Sequence, residues 1–153
     1  MQTTIQYIKK ELTEHYPESE VQAFIRNLIE AFCGWNYTQQ ILKKNESVSD
    51  QQFAEIEKAV LRLKKYEPLQ YILGETEFMG LTLKVNPSVL IPRPETEELV
   101  DWIIQKNTKE NQRIIDIGTG SGCIPLALKK HIKICQFFAA DISESAIKVA
   151  KQN

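Results

Sequence analysis

The sequence of 153 residues predicts an α/β fold whose N-terminal part is helical. Three observations carry that prediction. Apolar residues recur at helical spacing up to residue 66, the texture changes at Pro68 to β-branched and aromatic residues in near alternation, and the order strand-helix-strand-helix begins at Arg113. The order β-α-β-α implies a parallel sheet, because parallel neighbours need a crossover connection. The expected organisation is a helical bundle over residues 1–75, a β-hairpin linker over 76–94, and a sheet domain over 95–153.

The elements follow from residue pattern in chain order. Ile5, Ile8 and Leu12 mark a first helix. After Pro17, with Glu18 and Glu20 placed for a first turn, Val21, Phe24, Ile25, Leu28, Ile29 and Phe32 form a broad apolar stripe. A shorter helix carrying Ile41 and Leu42 is expected after Thr38. Ser49 and Gln52 then form a capping box ahead of Phe53, Ile56, Val60 and Leu63. The alternation in Glu77-Phe78-Met79-Gly80-Leu81-Thr82-Leu83-Lys84-Val85, with its central glycine, reads as a short hairpin. Pro92-Arg93-Pro94 delays the next helix to Pro94, whose fixed φ suits a first turn; Glu95, Glu97 and Glu98 complement the dipole, and Leu99, Val100, Ile103 and Ile104 supply a buried face. Strands at 114–117 and 134–140 alternate with helices at 121–130 and 143–151.

Composition narrows the function classes. With 42% hydrophobic and 25% charged residues, the chain suits a globular protein. Its 19 Lys and Arg against 20 Asp and Glu, net −1, form no electrostatic footprint for nucleic acid, so direct nucleic-acid binding is not expected. The apolar runs around Ile114 and Phe137 fall well short of the roughly 20 residues that span a bilayer, so no membrane role is expected. The start, Met1-Gln2-Thr3-Thr4-Ile5, lacks a basic region followed by an apolar core, which makes a cytoplasmic location the expectation. Cys33, Cys123 and Cys135 are odd in number and far apart, so reduced thiols and no metal site are expected.

The segment with chemical content is Asp116-Ile117-Gly118-Thr119-Gly120-Ser121-Gly122, between the first sheet strand and its helix. Alternate glycines permit a sharp turn and let a ligand approach the backbone, while the N-terminus of the following helix offers N–H groups. A dinucleotide fingerprint would require glycine where Cys123 stands, so that ligand is disfavoured. Asp141, at the end of the next strand, is placed to accept the two hydroxyls of a ribose. It is also placed to cap the following helix, a role that Ser143 could equally fill.

D-I-G-T-G-S-G with Asp141 resembles the S-adenosylmethionine-binding motifs of class I, Rossmann-like methyltransferases. More narrowly, Leu90-Ile91-Pro92-Arg93-Pro94-Glu95-Thr96-Glu97 and Glu67-Pro68-Leu69-Gln70-Tyr71-Ile72 resemble the HemK/PrmC family. Those enzymes methylate the side-chain amide of the glutamine in the Gly-Gly-Gln motif of class I peptide-chain release factors. The resemblance implies S-adenosyl-L-methionine as cofactor and class I release factors as partners. It implies that Gly118, Thr119, Gly120, Ser121 and Gly122 hold the methionyl part, that Asp116 orients its ammonium group, and that Asp141 holds the ribose. Arg93, Pro94, Glu95 and Thr96 would form a wall that helps place the cofactor and the substrate glutamine, or serve only as a helix start after a rigid turn, and the helical bundle would help grip the release factor or serve only as a packing module.

The family's catalytic Asn-Pro-Pro-Tyr loop does not occur in these residues. Asn86-Pro87-Ser88-Val89 is the nearest text, but it lacks the second proline and the aromatic residue and precedes the glycine loop. No catalytic residue is therefore assigned in this chain, and the expectation is an inactive N-terminal fragment with a truncated cofactor domain. Two other functions fit the residues less fully. They are a DNA adenine amino-methyltransferase and a non-catalytic protein-binding module.

Overall fold

The computed structural model describes residues 1–106, 111–132 and 135–153. Within them the chain is a mixed helix-and-strand protein, with a helical N-terminal part followed by the opening of a Rossmann-like domain. It divides into two compact units, Met1–Ile72 and Leu73–Asn153.

The first unit is built on α1 (Gln2–Leu12), α2 (Glu18–Cys33), α3 (Tyr37–Leu42) and α4 (Asp50–Leu63). Helix α1 buries Thr4, Ile8 and Leu12, one residue every four, so Thr4 lies on the inner face while Ile5 flanks it half-buried. Helix α2 buries Val21, Phe24, Ile25, Leu28 and Ile29 and leaves Phe32 half-buried. It stops at Gly34, whose φ of 70° is left-handed and whose N–H donates to the Glu30 carbonyl. Helix α4 contributes Ile56, Ala59, Val60 and Leu63, and α1, α2 and α4 pack pairwise. The Tyr16 hydroxyl donates to the Leu63 carbonyl at 2.6 Å while its ring stands edge-on to Phe24 at 4.9 Å.

The expected capping box at α4 is present, with Gln52 N–H on Ser49 Oγ and Ser49 N–H on Gln52 Oε1. A second box corrects the expected start of α3. Asn36 and Gln39 exchange backbone-to-side-chain bonds at 3.0 Å, so the helix begins at Tyr37 rather than after Thr38. Helix α3 docks through a polar side chain. Gln40 is buried and donates to the carbonyls of Arg26 and Trp35, while Ile41 and Leu42 face solvent. A short helix not foreseen from the sequence, α5 (Leu69–Leu73), follows Pro68.

In the second unit, β1 (Glu75–Phe78) and β2 (Leu81–Lys84) form the expected antiparallel hairpin, with Phe78 opposite Leu81. Both turn residues have positive φ, 49° at Met79 and 66° at Gly80, which is the two-residue geometry that matches strand twist. Methionine is unusual at such a position, and neighbouring side chains hold it there. Glu97 Oε1 accepts the Met79 N–H at 2.6 Å, and Lys130 Nζ donates to the carbonyls of Gly80 at 3.0 Å and Met79 at 3.3 Å. Phe78 and Leu83 enter one apolar cluster with Val100, Ala127 and Leu128.

Helix α6 (Pro94–Lys106) buries Val100 and packs Ile103 and Ile104 against that cluster. Leu99 is 43% exposed, so the buried face is narrower than the sequence suggested. Strands β3 (Arg113–Ile117) and β4 (Gln136–Ala140) pair in parallel, with Asp116 opposite Ala139 and Ile117 opposite Ala140. Ile134, where the second strand was expected to begin, lies outside the described residues. Helix α7 (Cys123–His131) starts two residues later than expected because Gly122, at φ 80°, is its N-cap. Pro125 falls within the first turn, where a missing N–H costs no helical bond. Helix α8 (Glu144–Gln152) is capped by Ser143, whose Oγ accepts the Ala146 N–H at 3.2 Å. One face of the β3–β4 pair is apolar and exposed, through Ile115, Ile117 and Phe138, while Phe137 on the other face joins the cluster.

Leu28→Ala should therefore lower the unfolding free energy by about 2–5 kcal/mol in urea titrations, as expected for an emptied core position. Leu42→Ala should change it by less than about 0.5 kcal/mol, its side chain being already solvated. Similar losses for both would contradict the packing described.

Candidate functional site

The site lies at the C-terminal ends of β3 and β4, where parallel sheets hold their ligands. Because Asp116 and Ile117 pair with Ala139 and Ala140, the chain leaves both strands at the same level, and the loop after β3 meets the residue after β4. The carbonyl of Ala140 accepts the N–H groups of Gly118 at 2.8 Å and Thr119 at 3.0 Å, which ties the loop to the strand end. Gly118, Gly120 and Gly122 have φ of 79°, 55° and 80°, values that favour glycine over any residue with a Cβ. A Cβ on Gly118 or Gly120 would point into open space, so the loop surface at these two positions is open.

Asp141 completes this arrangement. Its Oδ2 accepts the Gly120 N–H and its Oδ1 the Ser143 N–H, both at 2.9 Å. These backbone donors, Ser143 first and Gly120 second, hold its carboxyl below the usual aspartate range. The sequence offered Asp141 as a ribose acceptor or a helix cap; in the fold Ser143 is the cap, and Asp141 ties the glycine loop to the entry of α8. A carboxylate offers about four acceptor directions, so two backbone bonds leave capacity for further donors.

Three polar atoms in this segment are buried without a hydrogen-bond partner among the described residues: Asp116 Oδ2, Thr119 Oγ1 and Ser121 Oγ. Thr119 is 4% and Ser121 2% exposed. Leaving a buried polar group unsatisfied costs on the order of 1–3 kcal/mol. Three in one short segment mark a place that a polar ligand would complete. Cys123, the first residue of α7, has its thiol pKa pushed up by burial, so it is not a ready nucleophile.

The structure brings together Asp116, Gly118, Thr119, Gly120, Ser121, Gly122 and Asp141. Arg93, Pro94 and Glu95 lie exposed at the start of α6, with Thr96 half-buried and its N–H on the Arg93 carbonyl. That segment is joined to the loop through the packing of α6 on α7, the helix that the loop begins. Asn86 uses its side-chain oxygen within its own turn, accepting the Ser88 N–H at 2.9 Å. Two contributors were not visible in the sequence. The Ala140 carbonyl acts through backbone alone, and Asn153 donates to the Ser121 carbonyl at 2.9 Å from 32 residues away. Neither left a local pattern that could have indicated it.

Comparisons with known proteins agree with this architecture. Residues 3–74 match the family model of the PrmC N-terminal domain, and residues 94–153 match that of the ribosomal protein L11 methyltransferase. Release factor glutamine methyltransferase of Flavobacterium psychrophilum is 42% identical over 93% of this chain and 51% of its own length. That of Bacteroides thetaiotaomicron is 42% identical over 96% and 52%, and that of Streptococcus pneumoniae 37% over 95% and 51%. The chain spans about half the length of these curated relatives. Matched along nearly all of its residues by these relatives, and over residues 3–74 and 94–153 by the two family models, the chain belongs to the HemK/PrmC family of release factor glutamine methyltransferases.

Proposed function

We propose that this chain carries the cofactor-binding and substrate-facing parts of an enzyme that methylates the Gly-Gly-Gln glutamine of class I release factors, with S-adenosyl-L-methionine as methyl donor. The observation that carries this reading is the set of buried, unpartnered polar atoms on Asp116, Thr119 and Ser121 beside a loop whose glycines leave its surface open. S-adenosylmethionine is polar along its length and bears an ammonium, a carboxylate and a ribose, so it suits such a lining. When bound it supplies an electrophilic methyl group on a sulfonium.

In this reading Asp116 receives the ammonium, residues 118–122 follow the methionyl chain, and Asp141 accepts the ribose hydroxyls with the acceptor capacity that Gly120 and Ser143 leave free. Arg93, Pro94, Glu95 and Thr96 at the exposed start of α6 help seat the glutamine side chain. The amide nitrogen is a weak nucleophile because its lone pair is delocalised, so alignment of the reacting groups must supply much of the rate. The bundle of α1–α4 contributes to recognition of the release factor, residues 76–94 link it to the cofactor domain, and the reaction belongs to the cytoplasm, where translation ends. These 153 residues include no Asn-Pro-Pro-Tyr sequence. By themselves they bind without turning over.

Calorimetric titration of the chain with S-adenosylmethionine should show one site, and Asp141→Ala should weaken it about tenfold or more, since ribose bonds and the Gly120 tie are lost together. Unchanged affinity would remove Asp141 from the site. The lowered Asp141 pKa sets a direction with pH. The tie is fully present above the ordinary aspartate value of about 4 and is lost as pH falls through the lowered one. Amide protection at Gly120 and Ser143, measured against Leu128, should thus hold at about pH 5 and fall only in stronger acid; a decline already near neutrality would contradict it. Incubated with a class I release factor and labelled cofactor, the chain should transfer no methyl group. Transfer would place catalytic residues within this sequence, with Asn86 the first to test.

A further inference from the structure

Asp141 is not the sole attachment of the glycine loop to the α8 segment. Asn153, the residue that follows α8, donates from Nδ2 to the Ser121 carbonyl at 2.9 Å and to the Lys84 carbonyl at 3.1 Å. Its Oδ1 accepts the Lys84 N–H at 2.6 Å. The side-chain amide therefore pairs with Lys84 as another strand residue would, at the open end of the hairpin, and spends its second N–H on the loop. Carboxylate, hydroxyl and ammonium groups cannot supply one acceptor and two donors in one plane.

The same helix lies directly behind the loop. A Cβ added to Gly122 would stand 3.4 Å from the Ala150 Cβ, a contact available because residue 150 is small and sits one turn before Asn153. Three consecutive loop residues are thus held by the segment that begins after β4. Gly120 is held by Asp141 at its entry, Gly122 lies against Ala150, and Ser121 is held by Asn153 at its exit. The other end of the hairpin is fixed as well, with Glu97 and Lys130 on the turn at Met79 and Gly80.

We propose that Asn153 is a positioning residue that locks the 120–122 turn to the end of β2, so that the hairpin and the glycine loop hold one relative position and the loop is formed before its ligand arrives. Three left-handed glycines in five residues give the unfolded loop a large conformational freedom, and without external ties the loop would sample many shapes. A preformed loop spares the ligand that ordering cost. The consequence for binding rests on the reading of the loop as a cofactor cradle; the restraint itself does not.

Hydrogen exchange by nuclear magnetic resonance on the 153-residue chain tests the restraint. In the unaltered chain the two Nδ2 protons of Asn153 should exchange slowly and show cross-peaks to Ser121 and Lys84; a freely averaged side chain would overturn the proposal without any variant. Asn153→Ala should raise exchange about tenfold or more at Gly120, Gly122 and Lys84 and leave Leu28 unchanged. Asn153→Asp, of the same size, keeps the acceptor for Lys84 but sets a carboxylate oxygen against two carbonyls, and should loosen the loop at least as much. If either variant disturbs only the last turn of α8, Asn153 is merely the cap whose N–H bonds the Val149 carbonyl, and the proposal fails. With S-adenosylmethionine as probe, Asn153→Ala should weaken binding about tenfold. An unaltered chain that bound none would refute the cradle reading, while the exchange data would still decide the restraint.

Discussion

The turn from β3 into α7 is the constraint on which the rest of the second unit depends. It places three residues at positive φ within five positions, a path open to glycine and costly for residues with a Cβ. Such a turn is cheap to bend and expensive to hold. The surrounding structure supplies the hold from several directions: the Ala140 carbonyl under Gly118 and Thr119, the Asp141 carboxylate on Gly120, and the Asn153 amide on Ser121. The parallel register makes these meetings possible, because it brings the exits of both strands to one level.

The holding groups are all fixed to packed elements. Helix α8 reaches the loop because Ala146 and Val149 bury its inner face and Ala150 is small enough for close approach. Helix α7 is set by Ala127 and Leu128 in the same cluster that receives Phe78 and Leu83 from the hairpin. The hairpin turn, with Met79 in a left-handed conformation, is in turn held by Glu97 from α6 and Lys130 from α7. Apolar packing sets the elements, and a small number of directed hydrogen bonds sets the loop. The buried side-chain atoms left unpaired among the described residues, on Asp116, Thr119 and Ser121, then stand out because all three fall in this one segment.

The first unit works by different means. Its core is an ordinary helical one, from Ile8, Leu28, Ile29, Val60 and their neighbours. Helix α3 is seated by a buried amide, Gln40, on two backbone carbonyls. That leaves Tyr37, Ile41 and Leu42 exposed on α3, an apolar surface that the unit does not use for its own folding.

Residue pattern alone was enough for the helices α1, α2 and α4, the hairpin, the β-α-β-α order and the glycine segment with Asp141, because each is encoded by neighbours a few residues apart. Periodicity, caps and turn glycines are local signals. It did not show α5 or the start of α3 at Tyr37, capped by Asn36. It placed the start of α7 two residues early and gave α6 too wide a buried face, since Leu99 is exposed. The bonds of Asn153 to Lys84 and Ser121, and of Glu97 and Lys130 to the hairpin turn, join residues 18 to 69 positions apart. No sequence period reaches across such separations, so only the packed fold decides which side chain meets which backbone group. The sequence by itself determined which segments turn, pair and coil; the tertiary structure decided how the glycine loop is held, because that depends on elements meeting in space.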